Sequence, residues 1–312
     1  MAYASAGLIS ATDYNNLAWG GTQGTYTAVT KNIAYVMGVG TGAVGYGQTI
    51  TAINTVSAAG TVTAVQWSGM LTLLNNALAH QSGAGAVLGG NYTAGQTITY
   101  FANVNTAVTT INTNAALFNA QGATTTGANF DDAISTAAGL SAAVYGLRTV
   151  TFQSADQARL FFNAGGQLNY VVSTPTTAGS GSQQSFERLI AALGGFGQKN
   201  TTSTGRTGTG LTLGTNSLTA GYRNNTTSFV SAVAVTDTTT AYTTDTGAIQ
   251  VRTSSTDVTN GANGLNIIFQ CLYTIPNKSF DDQITLTHRT RVDIIKPEIS
   301  YLTDVWGTIT IT

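Results

Sequence analysis

Hydrophobic positions along the chain change their period near its middle. In the first part they recur at helical spacing. Trp67, Leu71, Leu74 and Leu78, widened by Met70 and Leu73, form one stripe, which predicts a helix over 64–80. Thr63 and Gln66 stand at the positions of a capping box at its start. Val104, Val108, Ile111, Ala115 and Phe118 predict a second helix over 102–118. Ser10 and Asp13, after the apolar pair Leu8-Ile9, mark a helix start and predict a helix over 10–18. Lys31–Gly38 reads as a short helix ended by glycine, and Gly122–Asn129 as a connector. Asp131–Tyr145, rich in alanine and with two acids at its N-terminal end, reads as a further helix.

Beyond Val150 the pattern mostly alternates. Leu147–Ser173 is the hinge: Val150 and Phe152 alternate into Ser154, which caps a short helix carrying Ala158, Leu160, Phe161 and Phe162. Asn163-Ala164-Gly165-Gly166 stops that helix, and Leu168, Tyr170 and Val172 alternate again. Ser173–Gln184 reads as a loop, and Ser185–Gly195 as a helix with Phe186, Leu189, Ile190 and Leu193 on one face. After a loop over Gln198–Gly210, strands are predicted at 211–213, 228–236, 241–242, 249–253, 265–274, 283–292 and 306–312. The expected fold is therefore α+β: a small helical N-terminal region followed by an antiparallel β-sandwich with one or two short helices. The sandwich is expected to cover the Phe161-Phe162 helix and the 186–193 helix.

Charge sharpens the division. Up to Val150 the charged residues are Asp13, Lys31, Asp131, Asp132 and Arg148; all others follow. This places a boundary near Gly146, separating a low-charge, glycine-rich helical docking region (1–146) from the sandwich domain (147–312). Charged residues are 8% of the whole, against roughly 25% in an ordinary soluble domain. A polar surface of Thr, Asn, Ser, Gln and Gly lacks the self-repulsion that keeps subunits apart, so multimeric assembly is expected. A net charge of −1 disfavours nucleic acid as a partner. The absence of a run of about 18 apolar residues disfavours a membrane span, and no signal peptide is visible at the N-terminus.

The inventory for chemistry is thin. The glycine run Gly38–Gly47 lacks the following Lys-Ser/Thr, the βαβ setting and the acid that nucleotide loops need. The histidines are His80 and His288, too few for a metal set with the single cysteine. Cys271 lies in an apolar run and reads as a buried hydrophobe. Asp281-Asp282, after Asn277-Lys278-Ser279, reads as a turn before it reads as a calcium loop. Asp131-Asp132 lacks an identified partner for paired-carboxylate catalysis. Arg289 and Arg291 read as solvated or interface charges, with Asp293 as a partner. No catalytic, cofactor-binding or metal residues are assigned, no cofactor is expected, and the chain is expected not to be an enzyme.

Four blocks resemble virion structural proteins of tailed bacteriophages, cyanophages among them. They are Leu8–Leu17, the run ending Gly45-Tyr46-Gly47-Gln48, Gln66–Gly83 with its His80-Gln81-Ser82-Gly83 end, and Ala158–Leu168. Together they span about half of the chain, in the family's order; 200–312 carries no such motif. The resemblance implies a tail, neck or baseplate component, or a fibre-like appendage, partnered by other virion proteins, assembled in the host cytoplasm and without catalytic residues. The alternative is a carbohydrate-binding adhesin whose exposed tyrosines (Tyr222, Tyr242, Tyr273, Tyr301) would stack on a surface glycan. A hydrolase using Asp281 or Asp282 is a third reading.

Overall fold

A computed structural model describes residues 9–20, 32–40, 42, 44–83, 88–89, 92–96, 101–136, 139–175, 179–200, 221–254, 264–276 and 283–312. The chain forms two compact units. The first comprises Met1–Gly122, Asn163–Gly165 and Pro297–Val305; the second comprises Ala123–Phe162, Gly166–Lys296 and Trp306–Thr312. The division falls at Gly122/Ala123, and Gly146, where the charge step lies, is inside a strand of the second unit.

The first unit is helical because its capping and stripe signals are local and strong. Helix α1 (Ala11–Trp19) starts at Ser10, whose Oγ accepts the Asp13 N–H at 3.1 Å, and ends on left-handed Gly20. Asn15 acts as a strand would: its amide donates to the Val56 carbonyl (2.8 Å) and accepts the Val56 N–H (2.9 Å). Helix α2 (Ile33–Met37) is buried throughout. Helix α3 (Ala64–Ser82) carries both bonds of the capping box between Thr63 and Gln66. It buries Trp67, Met70, Leu71 and Leu74. Helix α4 (Phe101–Thr113) stops five residues before the predicted end, and Ala115 lies in the turn after it. Tyr46 is the polar pin of this unit. Its hydroxyl donates to the Ala115 carbonyl (3.1 Å) and accepts from Gln81, which also donates to the Ile111 carbonyl. Asn163 donates to the carbonyls of Val44 (2.8 Å) and Gly45 (3.0 Å).

The second unit is an antiparallel β-sandwich of two five-stranded sheets. One has the order β1 (Gln121–Thr125), β9 (Ile284–Pro297), β4 (Gln167–Ser173), β5 (Gly195–Gln198), with β2 (Phe130–Thr136) also paired to β9. The other has the order β10 (Thr310–Ile311), β3 (Leu140–Thr151), β8 (Asn266–Ile275), β7 (Thr246–Thr253), β6 (Val230–Thr236). Side chains of the two sheets meet face to face: Tyr170 of β4 stacks on Phe269 of β8 with ring centroids 5.2 Å apart. Helix α5 (Ala155–Asn163) buries Phe161 and Phe162 against Phe152, and Phe162 stacks on Tyr222 at 4.4 Å. Helix α6 (Gly181–Leu193) buries Phe186 edge-on to Tyr273 of β8.

Several expectations are corrected. Asp131–Tyr145 is not a helix but most of β2 and the start of β3. Alanine favours a helix locally, yet pairing with β9 buries Ile134 beside Leu286, and the ladder to β8 satisfies the backbone of 140–151. Gly139, just before β3, takes φ +55°, a conformation glycine reaches without steric cost. The Gly122–Asn129 connector contains most of β1; Gly194 caps α6, and Gly195–Gln198 after it is a strand that takes in the first residue of the predicted loop. Ala241-Tyr242 lies in a turn closed by Tyr242 N–H to the Thr239 carbonyl, and only Thr310–Ile311 of 306–312 is a strand. The predicted strand at 211–213, residues 201–210 and the Asn277–Asp282 turn lie outside the described residues. Among the described residues no helix is long and apolar enough to cross a membrane.

Candidate functional site

Strand register brings the acid–base groups together. In the β2–β9 ladder Asp131 faces Arg289 and Asp132 faces His288. Neighbouring positions point to opposite faces, so the two pairs have opposite fates. Asp131 and Arg289 form an exposed two-point ion pair, 2.7 Å at each contact. The hydrogen bond to Arg289 holds the Asp131 carboxyl below its usual range. Asp132 turns inward. Its Oδ2 accepts the Gly146 N–H at 2.8 Å, with His288 Nδ1 at 3.9 Å and the Arg148 guanidinium at 3.8 Å. His288 first, then the Gly146 N–H, hold its carboxyl below the usual range against the cost of burial.

The array continues inward. His288 Nε2 lies 3.0 Å from the Tyr273 hydroxyl. The Tyr170 hydroxyl donates to the Gly146 carbonyl at 2.6 Å and lies 3.5 Å from Cys271 Sγ. Burial lowers His288, with Asp132 opposing, and pushes the Cys271 thiol up to about 12. Burial also lifts Tyr170 and Tyr273 well above the ordinary phenol value. The composition is that of an acid–base relay, but His288, Tyr273, Tyr170 and Cys271 are wholly enclosed. The array cross-links strands of both sheets, and of its members Asp132 alone is partly exposed. Gly146 is needed there: its φ is +64°, and a Cβ would lie 2.5 Å from the Tyr170 hydroxyl.

A second enclosed cluster escaped the sequence reading. Ser185 Oγ of α6 lies 2.8 Å from Asp237 Oδ2 and 2.7 Å from Asp245 Oδ2. Arg188 pairs with Asp237, its Nε at 2.9 Å. Burial pushes Asp237 up, but Arg188, the Thr239 N–H and Ser185 together outweigh it and hold the carboxyl below its usual range. The two acids flank a tight turn after β6, and only the fold carries α6 to them.

The remaining sequence candidates separate cleanly. In the glycine run the N–H groups of Tyr46, Gly47 and Gln48 bond to carbonyls of Val36, Gly38 and Met37. A Cβ at Gly40 would meet the Tyr35 carbonyl at 2.3 Å, so this glycine serves close backbone packing. Arg291 pairs with Asp293 at 3.0 Å, as expected, whereas Arg289 takes Asp131. Of the four tyrosines proposed for glycan stacking, Tyr222, Tyr242 and Tyr273 are buried, which leaves Tyr301 exposed. His80 is buried at the end of α3, edge-on to Tyr46. Among the described residues no three His, Cys, Asp or Glu side chains converge as a metal set. Compared with protein-family profiles, curated proteins and solved structures, the chain matches none.

Proposed function

We propose that the protein is a structural subunit of a tailed bacteriophage particle, at the tail, neck or baseplate, acting by assembly with copies of itself and with other virion proteins. The observation that carries the reading is how the few charges are used. In the second unit Asp131, Asp132, Asp237 and Asp293 each meet an arginine of the same unit. With charged residues only 8% of the chain, most polar positions are uncharged Thr, Asn, Ser and Gly, a composition suited to being covered by neighbours. The outer edge of β3 supports it further: β10 pairs only with Val150 and Thr151, while Val144 and Leu147 are exposed. The resemblance of the four segments to virion structural proteins of tailed bacteriophages supports the choice of particle.

Light scattering on the purified full chain and mass spectrometry of purified particles test this. A defined oligomer, and the chain among the particle proteins at a stoichiometry matching that oligomer, are expected. A monomer at high concentration together with absence from particles overturns it.

A further inference from the structure

We infer that the first unit carries a binding site for a single sugar ring, in a cleft between the C-terminal end of α3 and the segment around Glu298. The cleft has a volume of 270 Å³ and is large enough to take one hexose ring. His80, Gly83, Asn119, Glu298, Ser300 and Tyr301 line it.

The lining groups are what a polyhydroxylated ring requires. Glu298 Oε1 accepts the Ser300 N–H at 2.7 Å, which leaves its other oxygen as an acceptor. Among the described residues the Asn119 amide, the Ser300 and Tyr301 hydroxyls and His80 Nε2 make no side-chain hydrogen bond to protein, and His80 Nε2 is buried as well. Donors and acceptors thus converge in one concave place without protein partners. Tyr301 adds an exposed aromatic side chain, the complement of a sugar's C–H face. The lining includes a carboxylate and neither Lys nor Arg, which argues against an anionic ligand.

The walls are fixed in advance. Leu302 is buried, and Gln48 clamps Thr303 from both sides, donating to its carbonyl at 3.0 Å and accepting its N–H at 2.6 Å. On the other wall Gly83, at φ +71°, lets the Asn119 amide lie where a Cβ would be, 2.5 Å away. Pre-formed walls lower the ordering cost of binding a small ligand.

The inference does not depend on the assembly reading, since it is measured on the isolated full chain. Saturation-transfer NMR with glucose, galactose, mannose and their methyl α-glycosides, with glycerol and choline as controls, is the test. At least one sugar is expected to bind with a Kd on the order of 1 mM, and Tyr301→Ala and Glu298→Gln are each expected to weaken it about tenfold or more. Both variants should unfold in urea as the parent does; Ser300→Ala serves as a third variant if one does not. Tighter binding of the methyl glycoside assigns the end of a glycan chain, and tighter binding of the hexose a free sugar; either supports the site. Transfer from none of the sugars at about 50 mM, transfer from choline or glycerol alone, or binding unchanged in the folded variants overturns it.

Discussion

The hydroxyl of Tyr273 lies 3.0 Å from Nε2 of His288, and neither side chain reaches solvent. The contact joins β8 of one sheet to β9 of the other. Tyr273→Phe keeps the ring packing on Phe186 and removes the partner of a buried imidazole nitrogen together with the hydroxyl's contact to Cys271. The expected cost is about 1–3 kcal/mol, the penalty for an unsatisfied buried polar group. In His288→Leu the cost of Tyr273→Phe should shrink, because the stranded group is then the phenol alone. Urea unfolding of the two single variants and the double variant measures the coupling, and strict additivity would mean that the bond contributes nothing.

Phe161 and Phe162 are both fully buried, at right angles to each other with centroids 5.2 Å apart. Truncating either to alanine should cost about 3–5 kcal/mol, the usual range for opening a cavity of that size. Phe162→Ala also removes the stack on Tyr222. A loss below about 1 kcal/mol at both positions would contradict their burial.

Arg188 is the cation that faces the buried Asp237 carboxylate from α6. Arg188→Leu leaves that charge enclosed without its partner and should destabilise by about 3–5 kcal/mol. The companion Arg188→Leu/Asp237→Asn variant should recover much of that loss, since the stranded charge is gone. Thermal unfolding of the three proteins checks this, and no recovery in the double variant would show that Arg188 matters for packing alone.

What could be read in the sequence was local. Thr63 with Gln66, Ser10 with Asp13, and Ser154 before Gln157 announce helix starts because each cap is closed within three residues. Alternation around Val233 and Leu286 gave strands for the same reason. Asp131–Tyr145 looks helical in isolation because its fate is decided by β9 and β8, more than a hundred residues later in the chain. The enclosed relay was half legible. Cys271 reads as buried from its apolar run, but nothing near His288 announces Asp132 or Tyr273. The cleft was hidden altogether: His80 and Glu298 come from opposite ends of the chain, and no spacing in Pro297-Glu298-Ile299-Ser300 signals a site. Of its residues the sequence marks His80 as one of two histidines and Tyr301 as one of the four tyrosines proposed for glycan stacking, and neither signal points to the other.

Acid should weaken the fold through its histidines before it reaches most carboxylates. Burial pushes His80 down to about 4, with Glu298 opposing. In the unfolded chain a histidine titrates near about 6.5. Because the folded value is depressed, the unfolded state takes up the proton first, so this contribution is complete above about pH 6.5 and is lost as pH falls towards 4. Integrated over that window it amounts to about 3 kcal/mol at most. Burial lowers His288 as well and adds in the same direction. Asp132 and Asp237 are held below their ordinary values, so their contributions persist through this window and disappear at lower pH. Unfolding free energies from urea titrations should therefore fall steadily from pH 7 to pH 4.5. His80→Leu should flatten part of that slope while matching the parent at pH 7, where the buried imidazole is neutral. A parent protein whose stability is level between pH 7 and pH 5 would mean that His80 takes up its proton in place, stabilised by Glu298, and that the end of α3 holds a cation where the structure places a neutral ring.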